Sequence, residues 1–185
     1  MKTNIFPAIR LTIVTLLFFS VAYPAVIWAI ARLAPNHGQG EVVNANGKKY
    51  YANIGQTFTE DQFFNSRPSA VNYNAAGSGG SNKGPSNPEY LKVVQARIDT
   101  FLVHNPGIEK KDIPVELVTA SGSGLDPDIS PKAALVQVKR VAAARKISEE
   151  KVTRLVSAHI EKPLLGMFGP EKVNVLSLNL ALEKL

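Results

Sequence analysis

The longest uncharged stretch of the chain lies near its N-terminus. Residues Leu11 to Ala31 carry no charge, and Arg10 and Arg32 bracket them. A helix of this length rises about 30 Å, which matches the hydrocarbon thickness of a bilayer. A cleaved signal peptide is one alternative, because Ala29-Ile30-Ala31 resembles a cleavage site, but signal cores usually have only about 7–15 apolar residues. A buried helix of a soluble protein is another, but such helices seldom have so long an uncharged run. We therefore predict a transmembrane helix over residues 11–31.

Alternating apolar and polar positions beyond this span predict three strands. The first lies within Tyr50–Phe58, and the second covers Pro114–Thr119. The third lies in the block that starts at residue 173, where the alternation slips by one position between Val175 and Leu176. A slip of that kind is typical of a bulge in a strand.

Three helices are predicted from apolar residues at helical spacing behind a capping residue. The caps are Asn87, Ser130 and Ser148, and a proline follows the first two at the first helical position. Strands and helices in this order indicate a mixed α/β (α+β) domain over residues 50–185. Residues 32–49 are predicted to be a polar linker between the span and the domain.

Two loops rich in small polar residues stand out within this domain. In residues 65–88, 17 of the 24 residues are Gly, Pro, Ser or Asn, and a second loop covers residues 120–130. Such loops form recognition surfaces when a scaffold holds them, and the alternative is a solvated loop. The candidate partner contacts are Arg67, Ser69, Tyr73, Gly79, Gly80, Ser81, Asn82 and Asp126.

The second loop raises the question of nucleotide binding, since Gly/Ser loops near a helix start often bind phosphate. The candidate residues are Ser121, Gly122, Ser123 and Gly124. They are weak candidates, because the loop lacks the Lys and hydroxyl of a G-x-x-x-x-G-K-[ST] motif. Asp126 and Asp128 would also repel a phosphate. We therefore favour a turn, from a strand to a capped helix, over an anion site.

The sequence gives little support to a metal site or to a hydrolase active site. His37, His104 and His159 belong to no spaced ligand set, and the chain has no Cys, so we expect no metal site. An S-x-x-K pattern at Ser148 and Lys151 leaves an exported Ser-Lys hydrolase as a remote alternative, but its companion motifs are absent. We expect no catalytic residue and no bound cofactor.

Charge indicates a membrane topology rather than nucleic-acid binding. The net charge is +6, and the part beyond Arg32 retains 18 basic and 15 acidic residues without a basic stripe. Lys2 and Arg10 lie before the span, so residues 1–10 are predicted to stay in the cytoplasm and the domain to be exported. A small-residue face of the span is predicted to pack against partner helices through Ser20, Ala22, Ala25 and Ala29.

Three sequence blocks in order carry a family resemblance. They are SRPSAVNYNAAGSGGSNKGPSNP at 66–88, VELVTASGSGLDPDISPKAALVQVKRVAAAR at 115–145 and VNVLSLNLALEKL at 173–185. Behind one N-terminal span, they resemble the C subunits of bacterial Kdp-type potassium-transporting ATPases over essentially the whole chain. Two positions depart from the expected pattern, Lys83 and the Gly169-Pro170-Glu171 order, and neither alters the resemblance.

The resemblance implies a non-catalytic accessory subunit of the bacterial inner membrane. It implies three partners, namely a channel-like potassium-binding subunit, a P-type subunit that hydrolyses ATP and a small single-span subunit. ATP and potassium would then be handled by the complex, and this chain would support ATP use in a role like that of a catalytic chaperone. The rival hypothesis is a module that binds nucleotide directly.

Overall fold

The computed structural model describes residues 4–34, 36–45 and 47–185. The chain divides into two units, the first ending at Asn44 and the second running from Ala45 to Leu185. The first unit contains α1 (Ile5–Leu17), a π-helical segment (Phe18–Ala22) and α2 (Tyr23–Ala31).

These three segments form one continuous apolar helix of 27 residues that is long and apolar enough to cross a membrane, and none of its most apolar stretch is buried within the protein. The helix begins before the predicted span and ends with it. The π-helical segment has a local cause in Pro24, whose ring clashes with the carbonyl four residues earlier. Here the N–H of Tyr23 bonds instead to the carbonyl of Phe18, five residues back, and this wider turn accommodates the proline.

Strands β1 (Val42–Ala45) and β2 (Lys48–Tyr51) form a two-stranded sheet where the first unit ends and the second begins. The rest of the second unit is a mixed helix and sheet structure with a three-stranded antiparallel sheet of order β3-β5-β4. Its strands are β3 (Asp128–Ile129), β4 (Ile160–Glu161) and β5 (Lys172–Asn174). Val173 of the central strand lies opposite Ile129 on one side and Ile160 on the other.

The described part of this unit also contains five α-helices. They are α3 (Pro88–His104), α4 (Pro131–Leu135), α5 (Val138–Arg145), α6 (Glu149–Ala158) and α7 (Val175–Leu182). Two short 3-10 helices cover Lys110–Asp112 and Val115–Leu117. The core lies among α4, α5, α6, α7 and the three-stranded sheet, and its completely buried members include Phe64, Val141, Val152, Val156, Val173 and Leu178.

The predicted helix caps are confirmed. The side-chain oxygen of Asn87 accepts from Tyr90 N–H at 3.0 Å. Ser130 accepts from Ala133 N–H at 3.1 Å, in the same position relative to α4. Side-chain acceptors of this kind satisfy helix N–H groups that have no partner within the helix. The single helix predicted after Ser130 is, however, divided into α4 and α5.

Three strand predictions need correction. Pro114–Thr119 contains a 3-10 helix instead, because the N–H of Leu117 donates to the carbonyl of Pro114 and the N–H of Val118 donates to that of Val115. The predicted Tyr50–Phe58 strand ends at Tyr51. The slip after residue 173 is no bulge, since β5 ends at Asn174, whose side chain caps α7 by accepting from Ser177 N–H at 2.9 Å. Strands β1 and part of β2 also occupy the predicted linker.

Residues 60–65, the central segment, run through the second unit without forming a helix or a strand. Phe64 is completely buried there. Its N–H donates to Asn179 Oδ1 at 2.8 Å, and its carbonyl accepts from Asn179 Nδ2 at 2.9 Å. An amide side chain offers one donor group and one acceptor, so Asn179 takes the place of a neighbouring strand.

Arg140 and Gln137 hold the rest of the central segment. Arg140 donates from Nη1 to the carbonyls of Asp61 and Phe63, at 2.7 and 3.0 Å, and from Nη2 to Asn65 Oδ1 and Gln137 Oε1, both at 2.7 Å. Gln137 Oε1 also accepts from Asn65 N–H at 2.8 Å. Burial lowers the pKa of the Arg140 guanidinium, against the opposing effect of the Asp61 carboxylate.

We predict that Arg140→Met lowers the free energy of unfolding by about 3–5 kcal/mol, because several buried acceptors lose their donor at once. Urea unfolding of the full chain in detergent, followed by circular dichroism, measures this change. Arg154→Met is the matched control, since Arg154 is exposed on α6. Its expected effect is within about 0.5 kcal/mol, and equal effects of the two substitutions would contradict the prediction.

Candidate functional site

The two polar loops predicted as a contact surface lie directly against each other. We call residues 65–87 the long loop and residues 119–127 the short loop. The N–H of Gly79 donates to the carbonyl of Ser123 at 2.8 Å, and the N–H of Ser121 donates to the carbonyl of Pro68 at 3.2 Å. Two loops without regular structure thus exchange backbone hydrogen bonds, as strands do in a sheet.

Serine side chains add further bonds between the two loops. Ser69 Oγ donates to the carbonyl of Gly124 at 2.7 Å, and Ser78 Oγ donates to the carbonyl of Ser123 at 2.9 Å. Ser69 Oγ also accepts from the N–H groups of Val71 and Tyr73 within the long loop. Such side-chain bonds to the backbone fix loops that have no regular hydrogen-bond pattern.

An ion pair closes one end of the paired loops. Arg67 Nη1 lies 2.8 Å from Asp126 Oδ2, and both side chains are about one quarter exposed. The Tyr73 hydroxyl donates to the carbonyl of Arg67, which ties the long loop back on itself. Burial and, to a lesser extent, the Asp126 carboxylate raise the pKa of Tyr73, whereas Ser66 and Arg67 act in the opposite direction. The phenol is therefore neutral at ordinary pH.

Glycine is required where the loops come closest. Gly124 has φ +68°, and a Cβ there would lie 2.6 Å from Val71 Cγ2 and 2.8 Å from the carbonyl oxygen of Gly79. A Cβ on Gly80 would lie 3.0 Å from the carbonyl oxygen of Gly122. Gly122 itself has open space around its Cβ position. The loop contact therefore depends on particular glycines rather than on general flexibility.

The structure brings together most of the residues predicted as partner contacts. Arg67, Ser69, Tyr73, Gly79 and Gly80 lie in the long loop against the short loop and its Asp126. Ser81 lies beside them at a groove of about 460 Å³, which Lys83, Glu89 and Arg97 also line. Asn82 is exposed with φ +51°. Whether any of these residues contacts a partner stays a prediction, as does the packing of Ser20, Ala22, Ala25 and Ala29.

Sequence reasoning missed several members of this surface. Pro68, Ser78 and Val71 supply contacts between the loops. Gly55 also belongs to it, since its N–H donates to the carbonyl of Leu125 at 2.8 Å. The Gly/Ser content marks the loops as polar, but contacts between positions about 50 residues apart leave no periodic signal in the sequence.

The geometry of residues 121–124 agrees with a turn. The N–H of Gly124 donates to Ser121 Oγ at 2.9 Å, and the N–H of Leu125 donates to Ser123 Oγ at 3.1 Å. A phosphate loop needs free N–H groups at a helix start, whereas the short loop leads into β3 before Ser130 caps α4. The predicted strand before the turn is wrong, because a 3-10 helix precedes it.

The side chains of Ser148, His104 and His159 each have a hydrogen-bonding partner within the protein. Ser148 Oγ accepts from the backbone N–H of Lys151 at 3.4 Å, which confirms the cap of α6. His104 Nδ1 lies 2.8 Å from Asp61 Oδ1, and His159 Nδ1 lies 2.8 Å from the carbonyl oxygen of Leu155. Within residues 4–34, 36–45 and 47–185, no three His, Asp or Glu side chains come together as metal ligands would.

We predict that Gly124→Ala destabilises the paired loops by about 1–3 kcal/mol, because its Cβ collides with Val71 and Gly79. Trypsin cleavage after Lys83 in the long loop should accelerate, and thermal unfolding should shift downward. Gly122→Ala is the matched control in the same loop and should change neither measurement. Equal behaviour of the two variants would count against the pairing of the loops.

Comparison with known proteins identifies the family of this chain. The family model described as "K+-transporting ATPase, c chain" matches residues 5–184. Proteins named potassium-transporting ATPase KdpC subunit are 58% identical in Bacteroides fragilis, over 100% of this chain and 98% of the relative, and 56% identical in Flavobacterium johnsoniae, over 98% of each. A relative from Caldanaerobacter subterraneus is 46% identical over 94% of this chain and 91% of its own. The chain therefore belongs to the KdpC family, the c chains of potassium-transporting ATPases.

Proposed function

We propose that the chain is a non-catalytic accessory subunit of an ATP-driven potassium uptake complex in the bacterial inner membrane. The apolar helix from Ile5 to Ala31 anchors it. Residues 1–10 lie in the cytoplasm, and the domain after the linker, residues 50–185, lies outside it. Lys2 and Arg10, which precede the uncharged stretch of this helix (residues 11–31), support this orientation, since basic residues favour the cytoplasmic side.

This proposal rests on the hydrogen bonds that join the long loop to the short loop, which together we call the paired loops. The side chains of Ser69, Ser78 and Ser121, and the Arg67–Asp126 pair, bond to other loop atoms and so maintain a fixed shape. A fixed polar surface of this kind suits recognition of another protein. The same bonds occupy the N–H groups of Ser121, Gly124 and Leu125, which a nucleotide phosphate would need.

The proposed partners follow from the family. They are a channel-like subunit that binds potassium, a P-type subunit that hydrolyses ATP and a small single-span subunit, and the bilayer surrounds the anchor. We assign the paired loops to the potassium-binding subunit. ATP and potassium are then handled by the other chains, and this chain contributes to assembly and supports ATP use.

An exported domain influences ATP hydrolysis only through the membrane subunits. Such coupling requires that the domain bind one conformational state of the pump more tightly than another. It requires no contact between the domain and the nucleotide. A direct nucleotide-binding module would instead need the domain on the cytoplasmic side, so the topology separates the two hypotheses.

We predict that a cysteine at residue 76 is accessible from outside the inner membrane. The chain has no Cys, so Ala76→Cys in the exposed part of the long loop introduces a single label site. A membrane-impermeant maleimide should label it in intact spheroplasts, whereas Asn4→Cys should react only after lysis. Labelling in the reverse order would place the domain in the cytoplasm and overturn the proposal.

We also predict that Gly122→Trp blocks assembly. Arg67 and Tyr73 shape the long loop, so Arg67→Ala and Tyr73→Ala would weaken assembly through altered shape as well as lost contact. Gly122 borders open space, and a bulky side chain there leaves the loop pairing intact. Affinity for the potassium-binding subunit should fall about tenfold or more, a cost of about 1.4 kcal/mol, in detergent co-purification.

Glu150→Trp is the control for this experiment, because it adds the same bulk on the exposed surface of α6. It should co-purify like the wild type. Unchanged assembly of Gly122→Trp would remove the paired loops from the proposed interface.

A further inference from the structure

The turn between β4 and β5 exposes a cluster of large apolar side chains. We call residues 164–168 the hairpin tip. Its side chains are more than half exposed: Leu164 70%, Leu165 78%, Met167 75% and Phe168 61%. Contiguous exposed apolar residues in a folded domain mark a surface that contacts another apolar phase.

Four backbone N–H···O bonds involving the tip are formed within the hairpin. Leu164 N–H donates to the carbonyl of Phe168 at 3.1 Å, and Phe168 N–H donates back at 3.0 Å. Gly166 N–H donates to the carbonyl of Pro163 at 2.9 Å, and Met167 N–H donates to that of Leu164 at 3.2 Å. Backbone groups that already have partners enter a hydrocarbon environment at little cost, whereas unpaired groups cost several kcal/mol each.

The sequence of the turn is unusual for its conformation. Leu165 has φ +55° and Gly166 has φ +73°, so both central residues lie in the left-handed region. Asn or Asp usually occupies the first of these positions, because a branched apolar residue is unfavourable there. A leucine at this position places a large apolar side chain at the end of the hairpin, at the expense of local stability.

Charged residues flank the apolar stretch at the base of the hairpin. No charge occurs from Pro163 to Pro170, and Lys162 and Glu171 bound this stretch. Lys172 lies 2.7 Å from Asp128 Oδ2, and this hydrogen bond raises the pKa of Lys172. The hairpin therefore has an apolar end and a charged base whose charges balance, so it does not depend on anionic lipid.

The membrane anchor keeps the second unit close to a bilayer. Residues 32–44 connect the end of α2 to that unit, and 13 residues extend at most about 45 Å. An apolar tip on so short a tether meets the bilayer at high effective concentration. This step rests on the proposed anchoring by the apolar helix.

We propose that the hairpin tip inserts into the interfacial region of the lipid bilayer and gives the domain a second membrane contact. Lipid is favoured over a pocket in a protein because the hairpin forms these four backbone bonds itself and because the exposed side chains of its tip are all apolar. Insertion by about 5–10 Å accommodates these side chains and leaves the charged base among the headgroups.

Spin labels on the full chain in vesicles of phosphatidylcholine and phosphatidylethanolamine test this proposal. Single cysteines replace Met167 in the tip, Ala76 in the long loop and Val14 in α1. Each nitroxide is then exposed to oxygen, which partitions into lipid, and to a nickel chelate, which stays in water. We expect the oxygen-to-nickel accessibility ratio at residue 167 to exceed that at residue 76 at least fivefold and to approach that at residue 14.

A second substitution separates insertion from folding. Leu165→Asn suits the positive φ of the turn, so the variant should be as stable as the wild type or more so. In the Met167→Cys background it should lower the accessibility ratio at residue 167 towards that at residue 76. An unchanged ratio would overturn the proposal.

Three further outcomes overturn the proposal, and they differ in what else they affect. A ratio at residue 167 equal to that at residue 76, with a lipid-like value at residue 14, overturns insertion and leaves the anchor intact. Protection at residue 167 that develops only when the partner subunits are reconstituted assigns the tip to a protein contact. A water-like value at residue 14 contradicts the anchor itself and the proposed function with it.

Discussion

The second unit depends on buried side chains that replace a missing strand. Arg140, Gln137 and Asn179 bind the backbone of the central segment, residues 60–65, and Phe64 fills the core between them. A buried backbone without hydrogen bonds would be too costly, and among the residues that the structure describes no strand pairs with this segment. A buried guanidinium and two amide side chains supply the donors and acceptors instead.

This arrangement determines where the candidate site begins. Asn65 is the last residue of the central segment and the first of the long loop, and both its N–H and its side chain are bound by the buried network. The long loop then bonds to the short loop, which leads into β3 and so into the three-stranded sheet. Two loops without regular structure thus acquire a fixed shape from the core on one side and from each other. The proposal that this surface recognises a partner subunit rests on this fixed shape.

Local signals in the sequence predicted where α3, α4 and α6 begin, whereas α7 was predicted as a strand. Asn87, Ser130 and Ser148 cap helices as expected, because capping depends on one side chain and the next three residues. The apolar N-terminal helix was equally clear, since its composition alone defines it. The resemblance to the family, which the comparisons confirm, rested on three ordered blocks rather than on any single motif.

Strands and loops were harder to predict, for physical reasons. The strands of the three-stranded sheet have only two or three residues each, too few to display alternation. Conversely, the apolar residues of Val115–Leu117 and Val175–Leu182 alternate like those of a strand but lie in helices. The predicted loop surface included Arg67 and Asp126, but the partners of Ser69 and Ser78 lie in a distant part of the sequence. The exposed apolar tip at residues 164–168 has an ordinary composition and becomes notable only through its exposure.

Native-state hydrogen exchange of the full chain in lipid nanodiscs tests the central claim most directly. The N–H groups of Phe64 and Asn65 lie outside any helix or strand and donate only to side chains. If the buried side chains hold the central segment as described, these two N–H groups exchange as slowly as that of Val141 in α5 and only through global unfolding. Exchange at the rate of an exposed loop would show that the segment opens independently of the core, and would contradict the account.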